Sequence, residues 1–392
     1  MTTPLAGTEL TEPLVTRPFV ALALAELAYF TADGIAILAL PLQVTGPLGG
    51  TEAGAGLAFA AFAVTALVGR PIAGRLTDTW GRLPLMTVGA ATAAVGLALT
   101  AYAPSLTVVV ALRLLLGLGE AAFFVAAIAA VADLAPPSRI GEAMSYNSLG
   151  LYLGLTLGPP LGEQVVSIGG FRAAWLVAAA LAAAAILLVR LVGETREPAA
   201  DSEPGGLVHV PAIAPSLGFL TSIVAMGGFL TFAALHAERS GLPHASLPLM
   251  VYGSTVVLGR IAFGRYVDRV PPLSLGAAAL ATMSLGMLLL TLVPTPAGVL
   301  AGSALTAFGI VFSTPAFFSA IFATASPSER GAASGTASVA LDLGLAAGPV
   351  MVGLVAEQQG IGRGFAACVA VTLAGTAWTM LLARRAVGRP AA

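Results

Sequence analysis

Five ionisable residues lie within long apolar runs: Glu26 and Asp33 in one, Arg113 and Glu120 in a second, and Asp342 in a third. An ionised side chain at the centre of such a run costs about 2.5–3.5 kcal/mol or more, so each must be paired, hydrated or able to take a proton. Within the first two runs the members are seven residues apart, close to two helical turns, which sets both on one side of the helix. A guanidinium stays charged at any physiological pH and keeps a neighbouring carboxylate ionised. Two carboxylates sharing a poorly hydrated site cannot both ionise cheaply, so one holds a proton. With four acids against one arginine, not all can comfortably be charged, and at least one acid is a candidate proton carrier. All 18 basic residues are arginine and none is lysine, so proton exchange falls to the carboxylates.

The elements that position these residues follow from composition. The chain has 392 residues, 57% hydrophobic and 9% charged, against roughly 25% charged for a soluble domain. It lacks the polar side chains to cover a soluble surface and is too apolar for a disordered chain. A formal charge of −1 without any basic run excludes nucleic acid as a partner. The lone Cys368 excludes a disulfide framework and a cysteine zinc site. No phosphate-binding G-x-x-x-x-G-K-[ST] and no H-E-x-x-H or G-x-S-x-G is present, which argues against a nucleotide-driven pump and against an enzyme. No cofactor and no metal are expected.

A membrane helix needs about 20 apolar residues, and the sequence supplies twelve such spans: 19–44, 53–73, 84–103, 105–132, 141–166, 172–193, 215–237, 246–265, 273–293, 297–323, 332–356 and 364–386. Gly and Pro punctuate the connections, as at Gly46-Pro47, Pro136-Pro137, Gly169-Gly170 and Pro271-Pro272. The run from residue 19 is too long for a signal-peptide core, so the first span is expected to be retained. Basic residues collect in cytoplasmic loops. With both termini inside, Arg17, Arg75, Arg82, Arg139, Arg190, Arg196, Arg265, Arg269, Arg330, Arg384, Arg385 and Arg389 fall on the cytoplasmic side, with Arg70 and Arg260 near it. Only Arg172, Arg239 and Arg363 face out. The polar stretch 194–214 reads as a cytoplasmic linker between a first unit, 1–193, and a second, 215–392.

Those units are copies. At an offset of 190, Gly69-Arg70 falls on Gly259-Arg260, Gly74-Arg75 on Gly264-Arg265, Asp78 on Asp268, Gly154 on Gly344 and Gly158-Pro159 on Gly348-Pro349. Residues Gly74-Arg75-Leu76-Thr77-Asp78-Thr79-Trp80-Gly81-Arg82 resemble the cytoplasmic motif G-x-L-x-D-x-x-G-R-[KR] of the major facilitator superfamily, with Leu83 where a second basic residue is usual. Arg113 to Gly119 is similar to that family's R-x-x-x-G-x-G, associated with proton coupling, and Gly154, Gly158, Pro159 and Gly162 to the motif of its antiporters. The resemblance covers essentially the whole chain and implies an all-α membrane protein of two pseudo-symmetric six-helix bundles that rock about a central site.

Under that resemblance spans 1, 4, 7 and 10 line the cavity. Counting depth along antiparallel spans 1 and 4, Asp33 and Arg113 are expected to pair, and Glu26 and Glu120 to face each other. Gly74, Asp78, Gly81 and Arg82 are expected to form a gate latch, with Asp78 capping a neighbouring helix, and Gly264, Arg265 and Asp268 a weaker copy. The stripe Gly150, Gly154 and Gly158 serves close packing, between the halves on the simplest account. Asp342 sits near the interface of the halves, while His236, Glu238 and His244 are expected at solvated outer ends. Cavity walls are assigned to Tyr29, Phe30, Phe123, Phe124, Phe229, Phe232, Phe308 and Phe312, which with the acids suit a lipophilic cation. The expected protein is a multi-pass, monomeric antiporter of the plasma membrane that exchanges protons for a small amphipathic compound and exports it. Proton symport or facilitated uptake of a small metabolite is the alternative within transport, and a non-transporting sensor or scaffold the alternative outside it.

Overall fold

The computed structural model describes residues 14–136, 139–196, 209–263, 269–326 and 329–387. Among them it is all-α, with eleven α-helical segments: α1 Arg17–Thr45, α2 Glu52–Trp80, α3 Arg82–Thr100, α4 Leu106–Leu134, α5 Ile140–Val192, α6 Ile213–Arg239, α7 Leu247–Phe263, α8 Pro272–Leu292, α9 Pro296–Phe322, α10 Arg330–Gln359 and α11 Ile361–Val387. The expected twelve spans are reconciled at α5. Its 53 residues would reach about 80 Å if straight, far beyond a bilayer, but Gly170 at φ 71° breaks it into two crossings. Spans 3 and 4 are separated by a short turn, after which Ser105 caps α4 by accepting from the Val108 N–H. Thr16, Thr51 and Thr295 cap α1, α2 and α9 in the same way.

Lipid solvation explains the surface. Leu24, Leu57, Val68, Ile72, Val95, Leu118, Leu187 and Leu258 are all exposed, and each lies on a helix whose backbone groups are satisfied internally, as hydrocarbon demands. Successive crossings alternate, so both described ends of the chain lie on one face. That face carries Arg17, Arg75, Arg82, Arg190, Arg196, Arg384 and Arg385 and is called here the arginine-rich face.

Helices α1 to α5 pack together, as do α6 to α11. The main seams between these halves are α2 against α10 and α5 against α7. The glycine stripe of α5 does not lie at either seam. A Cβ at Gly154 would sit 2.7 Å from the Phe30 backbone, and one at Gly158 2.5 Å from Gly34 Cα, so the stripe packs α5 on α1 inside one half. Gly344 does the same for α10 on α6, where a Cβ would lie 2.7 Å from Ile223 Cβ. The expectation of close packing is met, but its location is corrected, because Gly34 and the backbone of Phe30 and Thr31 supply the facing surface.

Gly74 contrasts with these positions, since nothing lies within 4 Å of a Cβ built there. Overpacking at tight sites costs about 1–3 kcal/mol. Gly158→Val is therefore expected to lower the melting temperature in detergent by several degrees, and Gly74→Ala to leave it unchanged or slightly raised. Labelling of the buried Cys368 by a fluorogenic maleimide on heating measures both.

Candidate functional site

Two of the acids inside the membrane meet a residue that sequence reasoning placed near the surface. Arg70 of α2 donates from Nε to Asp342 Oδ2 of α10 at 2.8 Å, and its Nη2 lies 3.4 Å from Glu120 Oε1 of α4. The guanidinium lies over the Phe124 ring, 5.0 Å from its centroid. Glu120 and Asp342 are buried, at 7% and 1% exposure. Neither Glu120 Oε2 nor Asp342 Oδ1 has a hydrogen-bond partner. One cation thus serves two acids, one from each half of the molecule.

The expected pair of Asp33 and Arg113 is not in contact: no nitrogen–oxygen distance between them falls within 4.0 Å. Arg113 instead lies over the α2 rings, 4.4 Å from Phe62 and 5.7 Å from Phe59, with its Nε unpartnered. Side-chain direction explains the miss. Arg113 lies on the face of α4 that packs against α2, where Gly117 admits the Phe62 backbone, whereas Asp33 is partly open. Glu26 does not face Glu120 either. It is buried at 1% exposure, with its carboxyl 3.8 Å from the Cβ position of Gly150 on α5. Residues 26, 30 and 34 of α1 lie one turn apart on one face and meet Gly150, Gly154 and Gly158 in turn.

Of the expected cavity walls, the structure brings four together. Tyr29 and Phe123 stack with centroids 4.1 Å apart, and Phe30 meets Phe124 edge-on at 6.2 Å. Tyr29, Phe123, Phe229 and Phe232 are fully buried, however, so they fill the space between helices and do not present faces to a cavity. Phe229 stacks on Tyr252 of α7. Phe308 and Phe312 form a separate cluster with Phe263. His236, expected in a solvated loop, is buried edge-on against Phe365.

At the arginine-rich face Gly81 takes φ 107° and turns the chain from α2 into α3. Asp78 is exposed and touches only Arg82, at 3.5 Å. The carboxylate that caps α3 is Glu194, which accepts from the Arg82 and Leu83 N–H groups at 2.9 and 3.1 Å. Arg82 also donates to Asp133 Oδ2 at 2.8 Å and to the Thr77 carbonyl at 2.9 Å. The amides at the start of α3 are therefore capped by Glu194, while Asp78 is exposed and meets the Arg82 side chain. All of these bonds stay within the first half and its immediate extension. Gly264, Arg265 and Asp268 lie outside the described residues.

The opposite face is tied across the halves. Glu163 of α5 accepts from the Ala245 and Ser246 N–H groups at 2.8 and 3.1 Å, capping α7, and also from the Ser246 hydroxyl. Arg239 pairs with Glu52. Arg70, Glu163 and Glu194 were missed for different reasons. Arg70 was visible in the repeat, since Gly69-Arg70 recurs as Gly259-Arg260, and Arg260 likewise reaches the other half, donating to Tyr152 Oη at 3.0 Å. Glu163 and Glu194 bond to backbone amides distant in sequence, for which no pattern signals.

The sequence profile of the Major Facilitator Superfamily matches residues 22–349. An uncharacterised MFS-type transporter of Burkholderia pseudomallei is 30% identical over 369 residues, covering 92% of this chain and 90% of its own. One from Pseudomonas aeruginosa is 30% identical over 384 residues, covering 92% and 91%. Among solved structures, an inward-facing bacterial homologue of the human lysosomal transporter Spinster superposes with a TM-score of 0.76 at 19% identity, covering 93% of this chain and 96% of that one. The nucleoside transporter NupG gives 0.77 at 15% identity, covering 93% and 99%, and the human organic anion transporter MFSD10 gives 0.71 at 20%, covering 93% and 99%.

Partial burial alone would raise the Glu194 carboxyl, but the N–H groups of Arg82, Arg196 and Leu83 outweigh it and hold it below the usual 4.5. A lowered acid stabilises the fold fully above its unfolded value and loses that contribution as pH falls through its folded value. Glu194→Gln is expected to melt below the wild type by a constant margin from neutral pH down to about 5, a margin that closes only as pH falls below 4.5. Paired melting curves across that range check it.

Proposed function

The chain belongs to the Major Facilitator Superfamily and is a membrane transporter of that type, and from that premise we propose that it is a proton-coupled efflux antiporter of a small amphipathic, positively charged compound. The observation that carries this reading is the charge balance within the spans, where the four acids Glu26, Asp33, Glu120 and Asp342 outnumber the guanidiniums Arg70, Arg113 and Arg260. One acid is in surplus among buried groups, so a proton is bound there, and a cation entering the site displaces it. Asp33 is the acid with access to both, being partly open and one helical turn from Tyr29 and Phe30.

In this reading the arginine-rich face is cytoplasmic, both termini lie there, and the protein resides in the plasma membrane as a functional monomer. The first unit spans 1–193, the linker 194–214 and the second unit 215–392. The bonds of Glu163 and Glu52 then close the outer side, while Gly74 and Asp78 stand in open space on the inner side. This is an inward-facing arrangement, ready to load cargo from the cytoplasm. The named neighbours move organic anions or nucleosides in two cases, so the preference for a cation rests on this chain's own surplus of acids.

Everted membrane vesicles with an acid interior are expected to accumulate tetraphenylphosphonium, and a protonophore to abolish the uptake. Asp33→Asn is expected to cut proton-driven accumulation at least about tenfold, equivalent to roughly 1.4 kcal/mol, while cargo exchange without a proton gradient persists. Retention of full proton-driven transport by each single neutralisation of Glu26, Asp33, Glu120 and Asp342 rejects the reading.

A further inference from the structure

We propose that Arg70 is a counter-ion exchanged between Glu120 in its own half and Asp342 in the other, so that these two acids share a single proton whose seat follows the α2–α10 seam. The inference rests on the transporter reading above and assigns to it the residues that link proton position to the arrangement of the halves.

The first support is geometric. Arg70 touches both acids, at 2.8 Å to Asp342 and 3.4 Å to Glu120, and each acid keeps one buried oxygen without a partner. A single guanidinium among two ionised, dehydrated carboxylates leaves an uncompensated charge, which is far more costly than a buried neutral acid. One of the two therefore carries a proton. The shorter bond marks Asp342 as the ionised partner here, with the proton on Glu120.

The second support is topological. Glu120 belongs to α4, which packs on α2 so closely that a Cβ on Gly69 would lie 3.0 Å from Ala121 Cβ. Movement between the halves stretches the bond from Arg70 to Asp342 and leaves the approach to Glu120 in place. As that bond is lost, the Glu120 carboxyl releases its proton and becomes the partner of Arg70, and the Asp342 carboxylate takes up one proton. Arg70 stays charged throughout, and protons and charge balance.

The third support is the repeat. The offset of 190 carries Arg70 onto Arg260, Asp342 onto Tyr152 and Glu120 onto Ile310. The second copy keeps the geometry, with Arg260 Nη2 3.0 Å from Tyr152 Oη and its head 4.4 Å from the ring centroid, across the α5–α7 seam. Its partner is a phenol, and the position equivalent to Glu120 is the apolar Ile310, so no proton is exchanged there. Tyr29 and Asp33 on α1 interact electrostatically with Glu120, and the remaining ionisable groups within these spans are Glu26 on α1, Arg113 on α4, and Tyr252 and Arg260 on α7. Helix α6 bears ionisable groups only at its arginine-poor end, and α9 bears none.

Infrared difference spectroscopy of the full chain in nanodiscs, read at the carboxylic-acid C=O stretch across a pH titration, tests this. Glu120→Gln is expected to remove one band. Asp342→Asn is expected to remove the same band, because Glu120 becomes the sole partner of Arg70 and ionises. Arg70→Gln is expected to add a second band, and Tyr152→Phe to leave the wild-type pattern. Heat-induced labelling of Cys368 verifies that each variant is folded. Survival of the Glu120 band at full amplitude in Asp342→Asn shows that the two acids titrate independently and overturns the exchange. Coupled loss of the band in a protein whose vesicles show no proton-driven transport upholds the exchange and rejects the antiport reading.

Discussion

A guanidinium held in hydrocarbon has to find its compensation inside the molecule, and for Arg70 that compensation comes from two helices that belong to different halves. The bond to Asp342 is a buried polar link across the α2–α10 seam, and its surroundings are arranged around it. Phe124 presents a ring face to the cation, which fixes the plane of the fork while the two acids approach its nitrogens. Glycines at positions 69 and 117 bring α2 and α4 close enough for Glu120 to reach the same group. Breaking a buried pair by removing one member typically costs 3–5 kcal/mol. The relative position of the halves and the protonation of their acids are for that reason one problem.

Duplication supplied the frame, and divergence of a few side chains supplied the chemistry. Both halves pack their first and fifth crossings through glycines, α1 on α5 and α6 on α10. Both send an arginine across the seam from their second crossing. Only the first copy meets a carboxylate there. Symmetric packing allows the halves to exchange roles in an alternating motion, while, in the proposed antiport, an asymmetric charge lets a proton bias that motion in one sense. A tyrosine in place of the aspartate retains most of the contact and removes its dependence on pH.

Legibility in the sequence divided along physical lines. Span number, the kink pair at Gly169-Gly170 and the glycine stripe were readable, since apolar length and small-residue spacing act locally. Burial of Glu26, Arg113, Glu120 and Asp342 followed from their place in apolar runs. Pairing was not readable. Depth counting set Asp33 level with Arg113, but contact depends on the azimuth of each side chain, and Arg113 turns toward Phe62. A window of a few residues on a helix with little polar patterning does not fix that azimuth. The seat of Glu194 under α3 likewise depends on how the end of α5 returns to the loop, which only the assembled fold determines.

The two faces differ in a way that bears on switching. The links that close the arginine-poor face are polar and partly hydrated: a carboxylate on two amides and a hydroxyl, and one exposed ion pair. Exposed ion pairs contribute about 0–1 kcal/mol, and hydrogen bonds to charged groups about 1.5–3 kcal/mol each. A closure held by such bonds is stable by a few kcal/mol, which is the range over which a ligand or a proton shifts a two-state equilibrium. An apolar seal of the same area would be too costly to open repeatedly. At the arginine-rich face the strong bonds run inside one half, from Arg82 to Asp133 and Glu194. They stiffen the ends of α2 to α5 into one body, so that force arising at the Arg70 seam moves the half as a unit.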